Sequence, residues 1–106
     1  MRLFSSIVTP AEMMRFAKER VSELRALSFV ELQHLPETKP ESVALRGSSI
    51  DVCTYRDTLP DGKIRVIVQA YKQRFLFMGT MIADGFIVAA DGSKTEVPEE
   101  MMWEFT

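Results

Sequence analysis

The chain contains one cysteine, Cys53, and one histidine, His34. No disulfide framework can form within it, and no Cys/His zinc cage can be completed. Five glycines and five prolines are too few for a low-complexity chain. No apolar run approaches the roughly 18 residues of a membrane-crossing candidate. The first ten residues hold one basic side chain, and Ser5 and Ser6 break their apolar stretch. That falls short of the ~7–15-residue apolar core of a secretory leader. A lone cysteine gives no sign of an oxidising compartment. A cytoplasmic protein of bacterial or phage origin, with no membrane partner, is therefore expected.

What is present suits one domain over residues 1–106. The chain is 46% hydrophobic and 26% charged, with a formal net charge of −2. The apolar share is too high for a disordered chain, and the length supports a single core.

Thr9-Pro10-Ala11-Glu12 is a capping box with proline at the first helical position. Met13, Met14, Ala17, Val21, Leu24 and Leu27 follow at the spacing of one helical face, which predicts an amphipathic helix from about Pro10 to Ala26. A second capping box, Ser28-Phe29-Val30-Glu31, predicts a short helix to about His34, ended by Leu35-Pro36. Glu37 to Glu41 reads as a polar connecting loop.

From Ser42 the period changes to two. Val43 and Leu45 start a first strand, and Gly47-Ser48-Ser49 reads as a turn. Ile50, Val52 and Thr54 mark a second strand, and Asp61-Gly62 is a hairpin cue. Ile64, Val66, Val68 and Ala70 share one face of a third, with Arg65, Ile67, Gln69 and Tyr71 on the other. Lys72-Gln73-Arg74 reads as the next turn. Phe75 to Ile82 is apolar on both faces, which predicts a central strand covered on both sides. Ala83-Asp84-Gly85 reads as another turn, then Phe86 to Ala90 as a strand and Asp91-Gly92-Ser93 as a turn. Val97 to Phe105 reads as a short helix starting at Pro98, because proline and acids suit a helix start, with an edge strand as the alternative.

The expected fold class is α+β. An N-terminal amphipathic helix and a short second helix pack on a four- to five-stranded antiparallel sheet with short turns. One long helix followed by an antiparallel meander resembles cystatin-like architectures in element order. None of the inhibitory motif residues of cystatins is present, so the resemblance implies a fold and no inhibitory activity.

Few residues point to chemistry. His34 and Cys53 would need to meet, with a third group orienting them, to act as a nucleophile pair. Neither sits in a local motif, and the plainer reading is a helix-end histidine and a small strand residue. Glu99 and Glu100 are adjacent and do not face one another, while Asp61, Asp84 and Asp91 each precede glycine, as turn residues do. No phosphate-cradling glycine loop and no calcium-loop pattern occurs. No cofactor and no metal are expected, and the balance falls against an enzyme.

Lys63 to Met81 carries Lys63, Arg65, Lys72 and Arg74 and no acid, whereas residues 91–106 hold five acids against one lysine. Lys72 and Arg74 are therefore candidates for anion or single-stranded nucleic-acid binding. Nucleic acid remains the weakest candidate partner, because the domain as a whole is not basic. Seven methionines are many for this length, and four form the pairs Met13-Met14 and Met101-Met102. Methionine and aromatic residues are enriched at interfaces, so Met101, Met102, Trp103 and Phe105 form a candidate partner-binding segment. The leading expectation is a non-enzymatic interaction module that binds a protein partner or itself. The alternative is a small-molecule pocket between helix and curved sheet, with His34, Tyr55, Arg56, Gln69 and Tyr71 as its polar groups.

Overall fold

A computed structural model describes residues 8–75 and 78–102. Helix α1 spans Pro10–Arg25 and opens as its capping box requires. The Glu12 amide donates to Thr9 Oγ1, and the Thr9 amide donates to Glu12 Oε1, each at 3.1 Å. Helix α2, Phe29–Gln33, repeats the arrangement with Ser28 and Glu31. Five strands follow: β1 (Thr38–Leu45), β2 (Ser48–Thr58), β3 (Ile64–Phe75), β4 (Met78–Val88) and β5 (Lys94–Glu96). They form one antiparallel sheet in the order β1-β2-β3-β4-β5, and a single turn, α3 (Glu99–Met102), closes the described chain. The α+β architecture, the helix-then-meander order and the short C-terminal helix match expectation.

Helix α1 lies on β4 and β3 and buries Met13, Ala17 and Val21. The core beneath it contains Ile50 and Val52 of β2, Ile64, Val66 and Val68 of β3, and Phe86 and Val88 of β4. Alternation selects these residues, because every second side chain along a strand faces the helix. Burying each large apolar side chain contributes about 1.5–3 kcal/mol against the entropy of ordering the chain.

Three strand boundaries differ from the expected ones, each for a local reason, and the coverage of one strand differs as well. β1 begins at Thr38 and takes in Pro40, where a loop was expected. The Arg56 amide donates to Glu37 O at 3.0 Å, so odd-numbered residues of β1 bond to β2. Pro40 is even-numbered and faces outward, where its missing N–H breaks no ladder bond. Secondly, Lys72-Gln73-Arg74 is not a turn. β3 continues to Phe75 and β4 starts at Met78, with a register shift between Gln73 and Phe75. These polar residues belong to the outer end of a long hairpin, where strand need not be apolar.

Thirdly, β4 runs unbroken through Ala83-Asp84-Gly85. Gly85 is opposite Ile67, and a Cβ there would overlap the Val66 carbonyl oxygen and come within 2.7 Å of Ile67 Cδ1. This glycine therefore marks a close approach of β3 to β4 and not a turn. Finally, the outer face is uncovered at Met81, which is 41% exposed within the run expected to be covered on both sides, whereas Ala83 and Ile87 further along the same face of β4 are buried. The remaining Asp-Gly hairpins behave as expected, with Asp61 Oδ1 accepting from the Lys63 amide and Asp91 Oδ1 from the Ser93 amide.

Candidate functional site

Helices α1 and α2 pack on one face of the sheet, and among the described residues only α3 reaches the opposite face, at Arg65. That face carries the odd-numbered residues of β2, β3 and β4. Cys53 and Tyr55 of β2, Gln69 and Tyr71 of β3 and Met81 of β4 stand there side by side in the strand register. Tyr55 Oη donates to Gln69 Oε1 at 3.2 Å, and Gln69 Nε2 lies 3.3 Å from Met81 Sδ. Hydrogen bonding with the Cys53 thiol, and then burial, push the Tyr55 phenol above its ordinary pKa. Tyr71 Oη donates to Gln73 Oε1 at 3.0 Å, and its ring covers Gly79, where it replaces the missing side chain. The row is half-buried apart from Met81, which is exposed.

At the far end of this face stands Arg65, 8% exposed. Its Nε and Nη2 donate to Asp57 Oδ1 and Oδ2 at 2.9 and 2.6 Å, and its Nη1 donates to Met101 O at 3.2 Å. The side chain thus ties α3 to the sheet while its charge is met by a paired carboxylate. Ile67 and Ile87 lie on the same face and are buried. Asp51, exposed, is the other charged β2 residue on this face.

Of the expected pocket residues, Tyr55, Gln69 and Tyr71 come together, but on the face away from α1. Arg56 points to the helix side, where Nε and Nη2 donate to Leu35 O at 3.1 and 2.8 Å. His34 is exposed at the end of α2, with Nδ1 donating to Val30 O at 2.7 Å. Neighbouring residues of one strand cannot share a face, so Tyr55 and Arg56 could not line one pocket. The separation also keeps His34 from Cys53.

On the helix side α1 is packed flush on its central strands, and two grooves flank it. One, of about 460 Å3, is lined by Arg20, Leu24, Leu27, Leu35, Lys39 and Glu41 among others, with Arg20 Nη1 bound to Glu41 Oε2 at 2.6 Å. The other, of about 470 Å3, lies between Lys18, Val21, Ser22 and Arg25 of α1, Asp84 and Gly85 of β4, Glu96 of β5, and Val97 and Met102, so that two basic and two acidic side chains line it.

The basic stretch is largely engaged. Arg65 is paired with Asp57, Lys63 Nζ lies 3.7 Å from Asp61, and Lys72 Nζ donates to Ser49 O at 3.1 Å. Arg74 belongs to β3, and its side chain lies outside the described residues. Met13 belongs to the core, and Met101 and Met102 are half-buried in α3, while Trp103 and Phe105 lie outside the described residues. Among the described residues no three His, Cys, Asp or Glu side chains gather as a metal site would need, and no helix is long and apolar enough to cross a membrane.

Comparison with known proteins matches this chain to no protein family, no curated relative and no solved structure. The likeness to cystatin-like architecture stays at the order of elements.

Sequence reasoning missed the Asp57–Arg65 node and the asymmetry of α1. The turn at Asp61-Gly62 puts Asp57 opposite Arg65, so the pairing could be found once the hairpin register was counted. On α1, Lys18 and Arg25 point towards β4, whereas Arg20 and Glu23 point towards β1. A helical projection centred on Ala17 shows the same division.

Proposed function

We infer that the protein is a non-enzymatic interaction module that binds a protein surface, a second copy of itself included, through the sheet face turned away from α1. The row of Tyr55, Gln69, Tyr71 and Met81 supports this reading. It combines aromatic, amide and thioether groups, of which tyrosine and methionine are enriched at interface centres, with one exposed carboxylate, Asp51. The two ends of the sheet strengthen it. β1 carries Pro40 and Lys39, and β5 has three residues with Lys94 among them. Short, charged or proline-bearing edges discourage end-on growth of a sheet, which applies along β1 and where β5 pairs with Phe86–Val88.

Light scattering on the eluting protein across a concentration series tests the reading, with wild type compared to Tyr55→Glu/Met81→Glu. The expected result is a mass that rises with concentration for wild type and stays monomeric for the variant. A wild type that stays monomeric throughout, with an unchanged tyrosine environment, counts against self-association through this face.

A second reading has one observation in its favour, the groove of about 460 Å3 whose walls include Leu24, Leu27 and Leu35. Its size and its leucine wall suit a small ligand with an apolar part. Leu27→Glu should then abolish binding of an apolar fluorescent probe. Undiminished probe binding would rule the groove out.

A further inference from the structure

The sheet face away from α1 is open at one end and buried at the other. Met81 is exposed, whereas Ile67, Ile87 and Ala83 on the same face are 0%, 7% and 9% exposed. Their own strands cannot bury them to this degree. Ile67 stands between Tyr55 of β2 and Gly85 of β4, and the glycine leaves that flank without a side chain. An antiparallel sheet face with nothing packed on it stays solvated, so the patch requires a covering layer. Among the described residues only α3 approaches, where Arg65 Nη1 donates to Met101 O at 3.2 Å. Arg65 is opposite Ile87 and two residues short of Ile67.

The chain leaves α3 at Met102 and continues as Trp103-Glu104-Phe105. Those three residues span up to roughly 10 Å when extended. Ile67 is roughly 7 Å beyond Arg65 along β3, which places it within their reach. Other segments start elsewhere. Val8 is buried in the core under α1, on the opposite side of the sheet, and the β3–β4 hairpin closes at the far end, beyond Gln73 and Gly79.

We propose that the buried patch of Ile67, Ala83 and Ile87 is the docking site of this chain's own segment Trp103–Phe105. Trp103 and Phe105 cover the two isoleucines, and Glu104 between them faces water, as alternation along an extended segment requires. Each aromatic side chain buries roughly 150–250 Å2 in such a contact. Because Met101 is already tied to Arg65, the segment acts at an effective concentration of about a millimolar, which a separate copy must exceed to displace it. The aromatic segment is then a second layer of this domain and not a free partner-binding arm, and it bounds the open face at Tyr55 and Gln69. These contacts lie within one chain, so a monomeric protein in light scattering leaves them untouched, and failure of the association reading is read separately.

Trp103 is the only tryptophan, so the whole chain reports on this segment directly. The test measures nuclear Overhauser contacts between the Trp103 indole and the methyls of Ile67 and Ile87, with tryptophan emission and acrylamide quenching alongside. Contacts to both isoleucines, blue-shifted emission and protection from acrylamide are the expected results. An equal mixture of isotope-labelled and unlabelled chains then locates the contact. Signal within labelled chains supports the proposal, while signal found only between labelled and unlabelled chains assigns the patch to a second copy and overturns it. Ile67→Ala opens a gap beneath the rings, and is expected to red-shift the emission and raise the quenching. Wild-type emission and quenching in that variant would count against the site. If the variant does not fold, the contacts in the wild-type chain still decide. A freely quenched Trp103 without isoleucine contacts, or isoleucine contacts made instead by residues preceding Val8, overturns the proposal.

Discussion

Replacing Gly85 by alanine sets two opposing effects against each other. Glycine inside a strand costs roughly 0.5–1 kcal/mol relative to alanine, so by backbone entropy alone Gly85→Ala should stabilise the protein. The structure predicts the opposite sign. A Cβ at Gly85 would overlap the Val66 carbonyl oxygen, and would sit 2.7 Å from Ile67 Cδ1 and 3.1 Å from Ile67 Cα. Two of those atoms belong to the backbone of β3, so no rotamer change relieves the contact. Overpacking that forces a backbone shift costs about 1–3 kcal/mol, and a backbone wall puts this case near the upper end. The net expectation is a loss of about 2 kcal/mol, equivalent to ~8–16 °C in melting temperature for a domain of this size. Gly79→Ala is the internal control. Its Cβ would meet the Tyr71 ring, with Cε1 and Cζ at 2.6 Å, and a ring on a rotatable side chain can swing aside. Its change should stay within about 1 kcal/mol of zero. Urea and thermal unfolding followed by far-ultraviolet circular dichroism measure both. If Gly85→Ala equals or exceeds wild type in stability, the close approach of β3 to β4 is refuted. If Gly79→Ala is the costlier change, the distinction between backbone and side-chain walls is refuted too.

Three more outcomes are expected. Thr9→Ala removes the acceptor for the Glu12 amide and should cost about 1 kcal/mol, measured by the same unfolding curves. Asp57→Ala leaves the Arg65 guanidinium buried without its carboxylate. It should cost about 1–3 kcal/mol and speed deuterium exchange in α3, which Arg65 holds through Met101 O; unchanged exchange there would show that α3 does not depend on this tie. Acid should weaken the protein in a defined direction. Glu12 is held below the usual carboxylate range by Arg46 and then by the Thr9 amide, Glu31 by the Ser28 amide, and Asp91 by the Ser93 amide. Carboxyls with lowered folded-state values contribute stability above their unfolded pKa and lose it as pH falls through the folded value. The melting temperature should therefore stay level near neutrality and drop below about pH 4, with a shallower drop in Glu12→Gln.

Local signals in the chain had different reach. Both helices were legible to within about a residue, because a capping box fixes a helix start by hydrogen bonds between residues three apart. The Asp61-Gly62 and Asp91-Gly92 hairpins were legible for the same reason, since the aspartate bonds an amide two residues on. Asp84-Gly85 carries the same letters and is strand, because Ile67 of the neighbouring strand occupies the space beside the glycine. Lys72 to Arg74 misled in the other direction. Polar residues suit a turn, and they equally suit the exposed end of a long hairpin. The candidate site was half legible: alternation groups Tyr55, Gln69 and Tyr71, and the same alternation separates Arg56 from them.

The sequence by itself determined the capped helices, the strand alternation and the absence of a cysteine or histidine cage, because each depends on residues within a few positions of one another. Only the tertiary structure decided which sheet face α1 covers and how little of β4 the short β5 pairs with. It also decided that Asp57 and Arg65 anchor α3, and that α1 turns a basic flank towards β4. Those properties depend on register and on which side of a strand its hydrogen bonds point, and the chain settles them when distant segments pack together.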